Sequence, residues 1–337
     1  MKKSISFGHK LAILLVAGLS VSTTFPIAAQ TVQEYEIGSG HDYDGIVEGT
    51  DGNLFFTEFS DNRIGIYKPD GLVTSLGTPS PTGGPDTILL GPDSNVWFSE
   101  IKANRLVRIN YSDFGMSEMT IPCAISSTVV ADAHALWFAE ECASGEYIAR
   151  MTPAGSISQY LVGTGSSRQI YTLAVGSDGN IWFTEYTGNK IGRFNTSTSS
   201  FTEFSIPTAS SRSSGIVSGP DGNVWFAEYA SNKLARIDLA GNITEFDWSG
   251  AMPTAMKAGS DGYLWTIDAE KQIWRVAIHA ASIDRSSIPS KMQSIGASSF
   301  ALGHDGNLWF TEERGSALGL IRMEGIFRDD FEGNPAP

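Results

Sequence analysis

Seven carboxylates recur at one position of a repeated octet: Glu58, Glu100, Glu140, Glu185, Glu228, Asp268 and Glu312. A ring of acids could hold a hard cation through oxygen ligands. A structural reading is simpler. In four copies the octet is followed by an Asn and a basic residue: Asn62-Arg63, Asn104-Arg105, Asn189-Lys190 and Asn232-Lys233. This spacing predicts a cation and an amide across a hairpin turn, satisfying the acid. The third and seventh copies lack the pair, which leaves Glu140 and Glu312 less fully explained. The positions seven residues before each octet are more telling: Asp44, Asp86, Ser126, Tyr171, Ser214, Thr254 and Ser298. Most are small and polar, and two neighbourhoods depart from the pattern. Asp42 and Asp44, with His41 beside them and Asp86 on the next repeat, could supply oxygen ligands to Mg²⁺ or Ca²⁺. The alternative is a solvated acidic rim. Arg168, Tyr171 and Arg212 form a second polar group. Together His41, Asp44, Asp86, Arg168, Tyr171 and Arg212 are the candidate ligand-binding residues. The chain has no G-x-S-x-G, H-E-x-x-H or phosphate-loop motif, and of its five His only His41 falls near these positions.

The elements that must position these groups follow from the repeat. The octet DGNIWFTE at 178–185 recurs from Asp51, Asp93, Ala133, Asp221, Asp261 and Asp305, and six of the eight Trp occupy its fifth position. Short β-branched and aromatic runs separated by Asp-Gly and Gly-Asn signals are strands joined by hairpins. Four strands of roughly five or six residues with their turns fill one repeat, which is the content of one propeller blade. The expected fold is all-β, a seven-bladed propeller of four-stranded antiparallel blades over 31–324. After the seventh octet only one further strand follows, Leu318 to Met323. The alternating stretch Val32 to Ile37 therefore completes the last blade and closes the ring, which otherwise would expose a sheet edge. The octet Trp fills the space between blades. The candidate positions fall at the start of the innermost strands, at the mouth of the central channel.

Composition bounds the partners. There are 36 Gly and 14 Pro, 18% charged residues and a net charge of −14. Such an acidic chain lacks the basic face that phosphate contacts with nucleic acid need. Lys2, Lys3 and Lys10 precede an apolar run from Leu11 to Val21, and Pro26-Ile27-Ala28-Ala29 follows. Residues 1–30 are thus expected to be an export signal. The run is too short to span a bilayer. The protein is expected to be secreted or periplasmic and monomeric. Cys123 and Cys142 are then either a disulfide, favoured in an oxidising compartment, or two buried thiols. Residues 325–337 match no part of the repeat and read as a tail.

The motif DGN-[LIV]-WF-[TA]-E, followed by NK-[IL]-[GA]-R-[IF] and TEF, resembles the streptogramin B lyase (virginiamycin B lyase) family over about residues 31–323. The resemblance implies a seven-bladed propeller whose active members open a cyclic depsipeptide at its ester by Mg²⁺-assisted elimination. The family's two His correspond to Thr254 and Ser298, its preceding Glu to Gly296, and its octet Glu to Glu312, the one position retained. Neither Thr nor Ser can replace imidazole as a base near neutral pH. The expectation is a secreted propeller that binds a small molecule or protein at one face without lyase activity. The alternative is a divalent-metal lyase or lactonase acting on a cyclic ester, with its metal at Asp42, Asp44 and Asp86.

Overall fold

The computed structural model describes residues 32–38, 42–163, 168–248, 250–270, 272–280, 282–288, 299–311 and 317–323. The expected export signal, the tail, His41, Gly296, Ser298 and Glu312 lie outside the described residues. Seven antiparallel sheets follow one another around a central channel, and within each of the first six the strands pair in chain order. The inner strands are Tyr43–Glu48, Pro85–Leu90, Ile170–Val175, Ser213–Ser218, Pro253–Ala258 and Phe300–Leu302. In blade three the inner strand is split into Ala124–Ile125 and Val130–Ala131, both paired with Leu136–Cys142. The octet forms the second strand of each blade. In blades one to six its last five residues are all buried because neighbouring blades cover both faces, as in Val224–Glu228.

The ring closes as the alternation of residues 32–37 predicts. Val32–Glu36 pairs antiparallel with Ala317–Ile321, from Val32 opposite Ile321 to Glu36 opposite Ala317. The N-terminal strand thereby becomes the outer strand of blade seven and completes its four-stranded sheet.

Two rims can be distinguished. The leading rim is where inner strands begin and octets end; the trailing rim is where inner strands turn into the next octet. At the trailing rim the octet Trp does more than fill space. Its indole Nε1–H donates to the Asp just ahead of it: Trp97 to Asp93 at 2.8 Å, Trp137 to Asp132 at 2.8 Å, Trp182 to Asp178 at 3.1 Å and Trp225 to Asp221 at 3.0 Å. An Arg on the third strand lies over each of these rings (Arg108, Arg150, Arg193 and Arg236), a cation–π contact. Blade packing is tight: a Cβ on Gly192 would sit 2.1 Å from the Phe183 ring on the strand beside it.

Cys123 and Cys142 form a disulfide, with Cα atoms 5.2 Å apart. It ties the approach to the split inner strand of blade three to the end of that blade's octet strand. Loop-closure entropy assigns such a bridge roughly 3 kcal/mol.

Candidate functional site

The candidate positions before each octet share one local structure. Pairing between the first two strands breaks register between Tyr43 and Ile46, Pro85 and Ile88, Ile170 and Leu173, Ser213 and Ile216, and Pro253 and Ala255. Asp44, Asp86, Tyr171, Ser214 and Thr254 therefore all lie in bulges at the leading rim, where a bulge re-aims side chains toward a site. In three blades the bulge is held by the hydroxyl at the octet's seventh position. Thr57 Oγ1 accepts from the Gly45 N–H at 2.8 Å, Ser99 Oγ from Thr87 at 3.1 Å and Thr184 Oγ1 from Thr172 at 3.2 Å. Blade five has Ala227 at that position and cannot do this. There the buried Ser213 and Ser214 hydroxyls and Glu228 Oε1 have no hydrogen-bond partner among the described residues.

The cations after the octets do not sit where their spacing predicts. Only Arg63 approaches its octet acid, with Nε 4.0 Å from Glu58. Arg105, Lys190 and Lys233 instead pair with Glu118, Glu203 and Glu245 on the outer strands. The octet acids Glu100, Glu185 and Glu228 stand directly opposite these cations on the second strand, yet each cation reaches the diagonal acid on the fourth, two residues from the one directly opposite, a distance long side chains span. The Asn residues take left-handed backbone conformations (φ 54° at Asn62 and Asn189) and reach the next blade, Asn62 Oδ1 accepting from the Gly84 N–H at 2.9 Å.

The octet acids consequently differ. Asp268 accepts from the N–H groups of Glu270 and Gln272, both at 2.9 Å, and from Trp274 Nε1 at 2.7 Å. Glu185 Oε1 has Arg168 Nε only at 3.7 Å and no hydrogen-bond partner among the described residues. Burial, then the neighbouring Glu203 charge, push Glu185 up to about 7 against the pull of Arg168 and Lys190. Burial likewise raises Glu228, although Ser231 donates to it at 2.8 Å. Blades four and five thus hold two protonatable carboxyls just under the rim.

Above them lies an exposed aromatic and cationic sector. Tyr171 is 48% exposed and its ring centroid is 5.6 Å from that of Tyr186. The exposed Arg212, at φ 51°, holds its guanidinium 6.0 Å from the Tyr186 centroid, and the exposed Tyr229, just after the paired octet, donates its N–H to the Arg212 carbonyl at 3.2 Å. The structure therefore brings Tyr171 and Arg212 into one sector. Arg168 lies at its edge, drawn into ion pairs with Glu185 and, at 3.2 Å, Glu203.

The acidic group of blades one and two is differently used. Exposed Asp42 accepts from the Ser60 hydroxyl. Asp86 is half-buried, and that burial raises its carboxyl; its backbone carbonyl accepts from Thr57 Oγ1 at 3.1 Å. The Asp44 carbonyl accepts from Thr311 Oγ1 of blade seven at 2.8 Å. Among the described residues no group of three or more His, Cys, Asp or Glu side chains is arranged to hold a metal ion. Thr254, the described position corresponding to a family His, donates its hydroxyl to the Ile267 carbonyl at 3.1 Å.

Sequence reasoning treated Glu185 and Glu228 as scaffold and passed over Ser213, Tyr186 and Tyr229. Ala227, where four of the other six octets have Thr or Ser, was the available signal for Glu228 and Ser213.

Among the described residues no helix is long and apolar enough to cross a membrane. The sequence profile of the Virginiamycin B lyase family matches residues 22–168 and 122–331. A virginiamycin B lyase from Nocardia farcinica is 29% identical over 170 residues, 48% of this chain and 55% of that protein. The chain thus matches little more than half the length of this curated relative. A streptogramin B lyase structure superposes with a TM-score of 0.77 at 25% identity, covering 87% of this chain and 98% of the other. A catalytically inactive variant of the Staphylococcus aureus virginiamycin B lyase, solved with quinupristin, gives 0.76 at 29% identity, covering 87% and 99%.

Proposed function

Because the chain belongs to the virginiamycin B lyase family, we propose that it is an exported ligand-binding propeller that holds a small cyclic-peptide-like molecule on the leading rim of blades four and five, without opening it. The observation that carries this reading is the Tyr171–Tyr186–Arg212 sector above the unpartnered Ser213 and Ser214 hydroxyls and Glu228 Oε1. Aromatic faces and a guanidinium bind amphipathic rings, and buried polar atoms without partners gain most from a ligand's amides. The absence of turnover rests on Thr254, whose hydroxyl is already committed to a backbone carbonyl and has no basicity near neutral pH. Export is supported by the Cys123–Cys142 disulfide, of a kind that persists in oxidising compartments, and by the basic and apolar character of residues 1–30.

Quinupristin with Mg²⁺ tests both parts. Saturable binding by calorimetry, with the macrocycle intact by mass spectrometry, is the expected result. Ring opening that disappears in Glu312→Gln would make the protein a lyase. No binding at all would remove the cyclic-peptide reading. Bound Mg²⁺ or Ca²⁺ surviving dialysis, and lost on mutation of Asp86, would favour the metal-dependent alternative.

A further inference from the structure

The central channel encloses about 570 Å³ and is lined by the inner strands of all seven blades. That volume is typical of small-molecule sites. Its walls mix polar groups with apolar side chains, among them Ile46, Ile88, Val129, Leu173, Met256 and Phe300. One position breaks the ring's pseudo-symmetry. Opposite the octet aromatic, six inner strands carry Val47, Leu89, Val130, Ala174, Val217 and Ala301. Blade six carries Lys257, opposite Trp265.

An amine at an apolar position of the blade scaffold does nothing for packing, since six blades manage without one. Lys257 is half-buried, lines the channel and has no hydrogen bond or ion pair among the described residues. Burial alone pushes its ammonium below the ordinary lysine range, as desolvation does to an unpaired cation. Lysines are rarely fully buried unless paired; Lys257, half-buried and without a protein partner among the described residues, keeps its ammonium available to a ligand of opposite charge. The other charged wall residue, Glu48, is engaged elsewhere. Glu48 Oε2 accepts from the His304 N–H at 2.7 Å, and Oε1 lies 3.0 Å from His304 Nδ1, binding blade one to blade seven.

We propose that the channel binds a small monocarboxylate with an apolar body, its carboxylate paired to Lys257 and its body against the inner strands. A single ammonium matches one negative charge. A phosphate dianion would find only one positive charge to meet its two negative ones. The ion pair would be a charge-assisted hydrogen bond that a neutral molecule of the same shape cannot make. This site lies toward the opposite ends of the inner strands from the Tyr171–Arg212 sector, so its failure would leave the leading-rim reading standing.

Octanoate and 1-octanol are suitable probes, compared by calorimetry on the full protein. Octanoate should bind saturably with one site, at least about tenfold more tightly than octanol. Lys257→Met should fold, because apolar residues occupy this position in six blades, and should abolish the preference; Lys257→Arg should keep it. A second readout needs no variant: octanoate should slow acylation of the Lys257 amine, followed by peptide mass spectrometry, while leaving the outer-strand-paired Lys190 and Lys233 unaffected. Equal affinity for the two probes, an undiminished preference in Lys257→Met, or unchanged Lys257 acylation under saturating octanoate would overturn the proposal.

Discussion

Both rims of this ring carry a series of repeat-encoded carboxylates, and blades four and five leave those of the leading rim unlike those of the trailing rim. At the trailing rim, Asp93 accepts from the Trp97 indole at 2.8 Å and from Asn95 Nδ2 at 3.0 Å. Burial opposes ionisation there, but these bonds outweigh it and hold the carboxyl below its usual range. At the leading rim, Glu185 and Glu228 each keep one buried oxygen without a hydrogen bond among the described residues, and both are raised by burial. A saturated acid is part of the scaffold. An unsaturated one costs stability, and such costs collect where a ligand or solvent completes the site.

The largest expected difference between the rims comes from the scaffold side. Trp182 is fully buried, stacks on Phe204 at 5.7 Å and anchors Asp178. Trp182→Ala should lose about 3–5 kcal/mol, as large buried aromatics do, readable as a shift in urea midpoint at unchanged slope. A loss below about 1 kcal/mol would mean that the trailing rim is not the stabilising one.

At the leading rim the sign should reverse. Glu185 binds its proton more tightly folded than unfolded, with a folded value of about 7 against 4.5. Its contribution is therefore fully present below pH 4.5 and is lost as pH rises through about 7. Glu185→Gln should remove that dependence and stabilise the protein at pH 8 by on the order of 1–3 kcal/mol, with little effect at pH 4. Urea melts of both proteins at the two pH values decide this. Destabilisation by Gln at pH 8 would show that the ionised carboxylate is held, most directly by Arg168, better than its surroundings imply.

What could be read from the chain follows the same division. Seven octets, and the alternation in Val32–Ile37, specified the blades and the strand that closes them, because both are periodic patterns that one chain can display. The split inner strand of blade three was not legible, since nothing in Ser126-Ser127-Thr128 distinguishes a strand break from a polar inner strand. The bulges were half legible: counting back from the octets found Asp44, Asp86, Tyr171, Ser214 and Thr254, but not that register breaks re-aim them. The basic residues after the octets misled because spacing along one strand cannot tell which neighbour a long side chain reaches. Lys190 found Glu203, and Glu185 was left to Arg168, a residue on another strand approach.

The smallest structural effect carries the most functional information. Arg212 is exposed and touches the scaffold mainly through the Tyr186 ring, at 6.0 Å, so Arg212→Ala should change stability by no more than about 0.5 kcal/mol, as surface substitutions do. Tyr171, half exposed on the neighbouring bulge, should behave the same way on replacement by Ala. If the sector is a binding surface, each variant should weaken quinupristin binding by about tenfold or more, with melting curves that overlay the parent's. Equal binding in both variants would show that the exposed rings and guanidinium are surface furniture, and that the unsaturated acids beneath them answer to something other than a ligand on that rim.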